Sequence, residues 1–248
     1  MIAIHPLCDL PEIAQGDDLS VLLRESLQSA GLWPPLNGDV LVVTQKIVSK
    51  AEGRLVDLDS VGPSEEAVSV ASRVNKDPRL VELVLQESSA VLRAVPNVLI
   101  TRHRLGHVMA NSGIDRSNIG AGGGESVLLL PTDPDASAQA LRSGLGDVVA
   151  VVISDSFGRP WRNGVVGVAL GVAGLPSLVD RRGDRDRDGR VLEVTQIALG
   201  DQLATAATLA MGEGAENVPA VLIRGLAFPE GDRGAAALVR PLDQDLFQ

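Results

Sequence analysis

The chain reads as α+β: mixed sheets with flanking helices, in two subdomains packed tightly together. Three observations carry this reading. Apolar runs of four to eight residues, rich in Val, Ile and Leu, recur between Gly, Pro and Asp. Segments with helical spacing of apolar residues stand between several of them. No fixed-period repeat and no Ser/Gly-rich linker divides the 248 residues, a length that at about 150 residues per domain makes one large domain or two small ones, so subdomains are expected to be packed rather than tethered.

In chain order, Asp17 and Asp18 open a helix over Leu19–Ala30, and DVLVVT over Asp39–Thr44 is a strand. Pro63 and Ser64, followed by Glu65 and Glu66, start a helix over Ser64–Asn75. A further helix is expected over Pro78–Ser89 and strands over Val98–Thr101, His107–Ala110 and Val127–Leu130. VVAVVIS at Val148–Ser154 is apolar enough for a strand buried on both faces. A helix over Gly200–Met211 and a strand over Pro219–Arg224 complete the list. Two segments read as solvated turns or substrate-contacting flaps: GAGGG at Gly120–Gly124, free to take positive φ, and the charged run RRGDRDRDGR at Arg181–Arg190.

Composition removes several functions. A formal net charge of −10, a pI near 4.8 and five aromatic residues (Trp33, Trp161, Phe157, Phe228, Phe247) disfavour a nucleic-acid partner, which needs phosphate-neutralising cations and stacking platforms. The lone Cys8 excludes an intrachain disulfide and a thiolate zinc site and reads as a small buried apolar residue. MIAIHP at the N-terminus has no basic flank or signal-length apolar stretch, and the longest apolar runs are too short for a bilayer. A cytoplasmic protein with no membrane partner is expected.

Four segments have the residue types of a polyanion site. Ile153–Pro160 (ISDSFGRP) begins where the buried strand is expected to end, so Asp155 and Ser156 offer a hard cation two oxygens, or alternatively cap a helix or close an Asx turn. Asn111–Asn118 (NSGIDRSN) supplies Asp115 as a second carboxylate and Asn118 as a hydrogen-bonding amide, with an ordinary Asx-rich turn as the plain alternative. After DVLVVT, Lys46 and Lys50 share a face if that stretch is helical, either as an anion clamp or as a solvated face. Met211–Asn217 (MGEGAEN) sets glycines around a carboxylate at a helix end, with Gly212 or Gly214 as the cap. No P-loop and no GxGxxG follows a strand, and His103 with His107 lacks a third metal ligand and the Glu of HExxH, so both read as surface or satisfied histidines.

Taken in order, LPEIAQGDDL (10–19), GDVLVVTQKIVSKAEGR (38–54), NSGIDRSNIG (111–120), LLLPTDPDASA (128–138), ISDSFGRPWRNGVVGVALGVAGL (153–175), GRVLEVTQIALGDQLATAATLAMGEG (189–214) and PAVLIRGL (219–226) make the chain similar to the coenzyme F420-0:L-glutamate ligase family. The resemblance implies the ligase fold over residues 1–245, without the nitroreductase-like domain fused to some actinobacterial members. It implies a GTP- and divalent-metal-dependent acid–amino-acid ligase that adds L-glutamate, then γ-linked glutamates, to F420-0 through an acyl phosphate. Carried over by position, Asp115, Asp155 and Lys50 are catalytic, and Asp115, Asp155, Ser156, Met211 and Glu213 hold metal. Nucleotide contacts fall on Leu10, Pro11, Glu12, Ile13, Gln45, Lys46, Lys50, Asn118, Leu209, Ala210, Met211, Gly212, Glu213, Gly214, Ala215 and Glu216. Cofactors implied are Mg2+ or Mn2+, with K+, and GTP as co-substrate; partners are GTP, L-glutamate, F420-0 and a second copy in a homodimer. The Arg181–Arg190 run departs from the family pattern in having Arg187 and Asp188 before its last Gly-Arg. The competing readings are an amide ligase for another carboxylate and a non-catalytic GTP-binding sensor.

Overall fold

The computed structural model describes residues 1–117 and 125–245. In chain order the elements are β1 (Ala3–Leu7), α1 (Leu19–Ser29), β2 (Val40–Thr44), α2 (Gln45–Ala51), β3 (Leu55–Asp57), α3 (Glu65–Val74), α4 (Pro78–Gln86), β4 (Ser88–Val95), β5 (Val98–His103), β6 (Val108–Ala110), β7 (Ser126–Leu128), α5 (Pro134–Gly144), β8 (Ala150–Arg159), β9 (Arg162–Ala173), β10 (Leu178–Asp180), β11 (Gln196–Ala198), α6 (Leu199–Met211) and β12 (Ala220–Arg224). The content is mixed, as α+β requires. The chain divides into one unit made of Met1–Pro11, Asp18–Gln45 and Asp133–Gln248, and another of Glu12–Asp17 and Lys46–Thr132.

The first unit is built on a five-stranded sheet in the order β1-β12-β2-β8-β9. Only β2 and β8 run parallel, with Val43 opposite Ile153 and Thr44 opposite Ser154. Val40, Leu41, Val42 and Val43 are fully buried, as are Val151, Val152 and Ile153, the mark of strands covered on both faces. Val40, Val42, Ala150, Val152, Val221 and Ile223 form one core with Leu203, Ala204, Ala207 and Met211 of α6. On β8 and β9 lies α5, and α1 packs on α5. The buried carboxylate of Asp39 holds Arg224 through two bonds, Nε at 3.0 Å and Nη2 at 2.6 Å, tying β12 to the residue before β2. α1 starts where expected because Asp18 accepts from Ser20 N at 3.0 Å and Val21 N at 3.3 Å.

Three expectations are corrected. β8 does not stop at Ser154 but runs through Asp155 and Ser156 to Arg159, because β9 continues to pair with it, Asp155 with Val168 and Ser156 with Gly167. Neither the helix cap nor the Asx turn is therefore present there. α4 ends at Gln86 rather than Ser89, since Ser88 already pairs with His103 in β4–β5. Cys8 is exposed rather than buried. The sequence also leaves out α5, whose Ala- and Ser-rich face carries little periodicity but whose start has Asp133 as cap and Pro134 in the first turn, and β9, interrupted by Gly164, Gly167 and Gly171. Arg181–Arg190 lies exposed between β10 and β11, with Arg182 paired to Asp180 at 2.5 Å.

In the second unit a two-stranded β3–β7 pair and a three-stranded β4-β5-β6 meander accompany α3 and α4. Its core joins Leu58, Val70, Val74, Val81, Val84, Leu99, Val127 and Leu129. Ser64 caps α3 through Ala67 N at 3.2 Å, Asn75 ends it at φ 52°, and Asp77 caps α4 through Arg79 N at 2.8 Å.

The glycines of β9 set how closely it approaches its helices. A Cβ on Gly167 would lie 2.4 Å from the Ala204 carbonyl oxygen of α6, whereas one on Gly158 meets nothing within 4 Å. Gly167→Ala is therefore expected to cost about 1–3 kcal/mol, a fall of several degrees in a thermal melt, and Gly158→Ala to leave the midpoint within about 2 °C.

Candidate active site

The first unit brings two of the expected residues together. β8 is regular at Asp155 and Ser156, the extra residue of the nearby bulge being Leu170 on β9, so successive side chains take opposite faces. Val152 and Ser156 lie on the α6 face, and Asp155 on the other with Val151 and Ile153. Ser156 Oγ donates to Glu213 Oε1 at 2.6 Å. Glu213 can reach it because α6 stops at Gly212, which adopts φ 71° and ψ −175°, a conformation open in practice only to glycine. The turn then folds back on Glu216, whose Oε2 accepts from Gly214 N at 2.7 Å. A Cβ on Gly212 would sit 2.2 Å from the Glu216 carboxyl carbon.

The other expected positions of this unit fall into two groups. Met211 is buried in the α6 core, so its thioether serves packing and its backbone carbonyl alone remains at the helix end; Leu10 and Gln45 are buried too. Pro11, Glu213, Gly214, Ala215 and Glu216 are exposed, Ala210 is half-buried, and Leu209 stands out as an apolar side chain 83% exposed.

In the second unit, Lys46 Nζ lies 2.5 Å from Asp115 Oδ2, and Ser117 Oγ donates to Asp115 Oδ1 at 3.3 Å. Lys50 Nζ lies 2.5 Å from Glu12 Oε1. The two lysines do sit on one helix, α2, but each is held by its own carboxylate. Ile13 is buried beside the exposed Glu12. Asn118 and Gly120–Gly124 lie outside the described residues.

A hydroxyl network that sequence spacing does not disclose supports Asp115. Asn111, Ser112 and Gly113 take φ of 50°, 51° and 70° in succession, a strained run that must be held by its surroundings. Ser112 is fully buried, with Oγ 2.7 Å from Thr101 Oγ1 and 2.6 Å from Ser88 Oγ, while its N–H donates to Thr101 Oγ1 at 3.1 Å. Asp115 then pairs with Leu128 through two backbone bonds of 2.9 Å. Below this lies a second cluster. Glu87, 7% exposed, gathers Arg104 at 3.0 Å, Arg54 at 3.1 Å and His103 at 3.3 Å on Oε2. His103 Nδ1 accepts from Leu105 N at 3.0 Å, so the ring donates to Glu87 through Nε2 and is a satisfied core histidine.

Among the described residues no three His, Cys, Asp or Glu side chains stand grouped around one point. The donor chemistry nevertheless suits a small hard cation: Ser156 and Glu213 set two oxygens 2.6 Å apart next to the carbonyl end of a helix.

The fold defines an α+β protein that sets a hydroxyl and a carboxylate side by side where α6 ends against β8. The F420-0:Gamma-glutamyl ligase family model matches residues 8–225, and the chain belongs to that family. It is 45% identical to the coenzyme F420:L-glutamate ligase of Methanopyrus kandleri over 100% of this chain and 98% of that protein. It is also 45% identical to the protein of the same name from Methanothermobacter thermautotrophicus, over 96% of both chains, and 46% identical to that from Natronomonas pharaonis, over 96% and 92%.

Burial alone would raise the pKa of Glu87, but His103, Arg54 and Arg104 outweigh it and hold the carboxyl below the usual glutamate range. A depressed carboxylate pKa adds stability in full above the ordinary value and loses it as the pH falls through the folded value. Glu87→Gln should thus lower stability at pH 7 by about 2–3 kcal/mol, the 41% exposure of the Arg104 side chain reducing the buried-pair figure. Thermal melts of both proteins should converge as the pH drops below about 4.

Proposed function

We propose that this protein is a GTP- and divalent-metal-dependent ligase that joins L-glutamate to coenzyme F420-0 and then extends the γ-linked tail, acting as a cytoplasmic homodimer. The observation that carries the reading is the full-length similarity to three proteins named coenzyme F420:L-glutamate ligase, in a chain that pairs Ser156 of β8 with Glu213 just beyond α6.

A carboxylate does not acylate an amine in water because oxide is too poor a leaving group. Transfer of the γ-phosphoryl group of GTP to the terminal carboxylate of F420-0 makes an acyl phosphate and GDP. The neutral α-amino group of L-glutamate then attacks the acyl carbon, the C–O bond to phosphate breaks, and the nitrogen loses its proton. Mg2+ or Mn2+ would supply charge neutralisation on phosphate oxygens. Ser156 and Glu213, with the Met211 carbonyl, are assigned to one such cation and Asp155, on the opposite face of β8, to another, with Asp115 as a further carboxylate. Lys46 holds Asp115 in place and balances its charge until a ligand competes for it. Lys50, whose side chain is 10% exposed, brings a desolvated ammonium group for a phosphate, with Glu12 as its resting partner. The exposed Leu209 and the glycine-opened backbone of residues 212–216 offer the guanine an aliphatic and main-chain surface.

Phosphate release should require GTP, L-glutamate and F420-0 together, and mass spectrometry should find a product heavier by whole glutamyl residues. Asp155→Asn and Glu213→Gln are each expected to lower kcat by about 100-fold or more, with melting temperatures unchanged. Undiminished turnover in either variant removes that residue from the metal set. Binding of GTP without phosphate release under any substrate combination favours the sensor.

A further inference from the structure

The second unit has a pocket of about 470 Å3 that the proposed chemistry leaves unused. It opens between the α3–α4 connection and the segment around Asp115, and Lys76, Asp77, Leu80, Asn111, Ile114 and Arg116 line it. Asp77 is its one carboxylate, and it is turned to other partners: Arg79, which also pairs with Asp59 and Glu125, grips it with Nη2 at 2.7 Å and Nε at 3.1 Å, while its Oδ1 also caps α4. Among the described residues, Lys76 and Arg116 have no carboxylate within ion-pair distance. The lining thus carries two cations to one carboxylate in a chain of formal net charge −10. Asn111 adds a side-chain oxygen that is buried and has no donor among the described residues, a costly state unless a ligand supplies one. Leu80 and Ile114, both buried, give an apolar wall.

We propose that this pocket is a subsite for a glutamyl group. Two unpaired cations match two carboxylates, the orphaned Asn111 oxygen matches an amine or amide N–H, and the apolar wall matches the two methylenes between them. The assignment rests on the ligase reading above. The same chemistry comes from two sources, the incoming amino acid or the γ-glutamyl tail of the other substrate, and separate kinetic arms distinguish them.

The variants are Arg116→Gln and Lys76→Met, with Lys76→Arg as the charge-preserving control; all three alter side chains outside the hydrophobic core. If the pocket takes free L-glutamate, Arg116→Gln and Lys76→Met raise its KM by about tenfold or more, KM for GTP and F420-0 stays within twofold, and Lys76→Arg restores most of the loss. If it takes the tail, KM for L-glutamate is unchanged, KM for the monoglutamylated cofactor rises by a similar factor, and products shorten toward one glutamate; this also supports the subsite. Unchanged KM for every substrate, or a rise confined to GTP, overturns it. Should the wild type show no turnover, the ligase reading fails by itself. Calorimetric titration with L-glutamate then decides the pocket: binding to the wild type that Arg116→Gln weakens supports it, and no binding to the wild type overturns it.

Discussion

The parallel pairing of β2 with β8 is the constraint on which the rest of the first unit depends. It sets Val43 beside Ile153 and Thr44 beside Ser154, so the buried part of both strands ends at one level and the polar residues that follow emerge there. Ligands of open sheets gather at such strand ends. Here the usual break into a loop is replaced by a long antiparallel arm, because β9 stays paired with β8 as far as Arg162. Asp155 and Ser156 are consequently held in the ladder by β9 alone, past the last β2 pair at Thr44–Ser154, and the pleat decides which face each addresses. Ser156 meets Glu213 because α6, packed on the same face through Ala204, Ala207 and Met211, ends at Gly212.

Charge is arranged more locally than the total of −10 suggests. Asp115 and Glu12 are each matched to a lysine of α2, Asp39 to Arg224, Glu87 to two arginines and a histidine. The Asp39 and Glu87 pairs tie elements of the fold together, whereas in the proposed mechanism the two lysine pairs of α2 are resting states that a phosphate would displace. Ser156 and Glu213 differ, being an oxygen pair with no cation of the chain within ion-pair distance of Glu213 among the described residues.

Much of this was legible in the sequence where a single local rule decides. The helix starts at Asp18 and Ser64, the buried runs of β2 and β8, and the glycine that ends α6 all follow from capping, hydrophobic pattern and φ preference. The four polar segments were also visible as segments. Their geometry was not. Whether Asp155 begins a loop or continues a strand depends on β9, whose glycines hide it from any strand pattern, and the face Ser156 takes follows from that pairing. The hydroxyl cluster of Ser88, Thr101 and Ser112 joins three elements, and no spacing within one of them announces it. Lys76 belongs to no motif, because the pocket exists only once Arg116 and Asn111 are folded beside it.

The assignment of the cations to opposite faces of β8 is the claim most open to a direct measurement. Crystals grown with GDP and Mn2+ would be examined by anomalous scattering at the manganese edge. A peak bonded to Ser156 and Glu213, at about 2.0–2.3 Å from their oxygens and separate from any peak at Asp155, is the predicted result. A single manganese bonded to both Asp155 and Ser156, or none at Glu213, would contradict it.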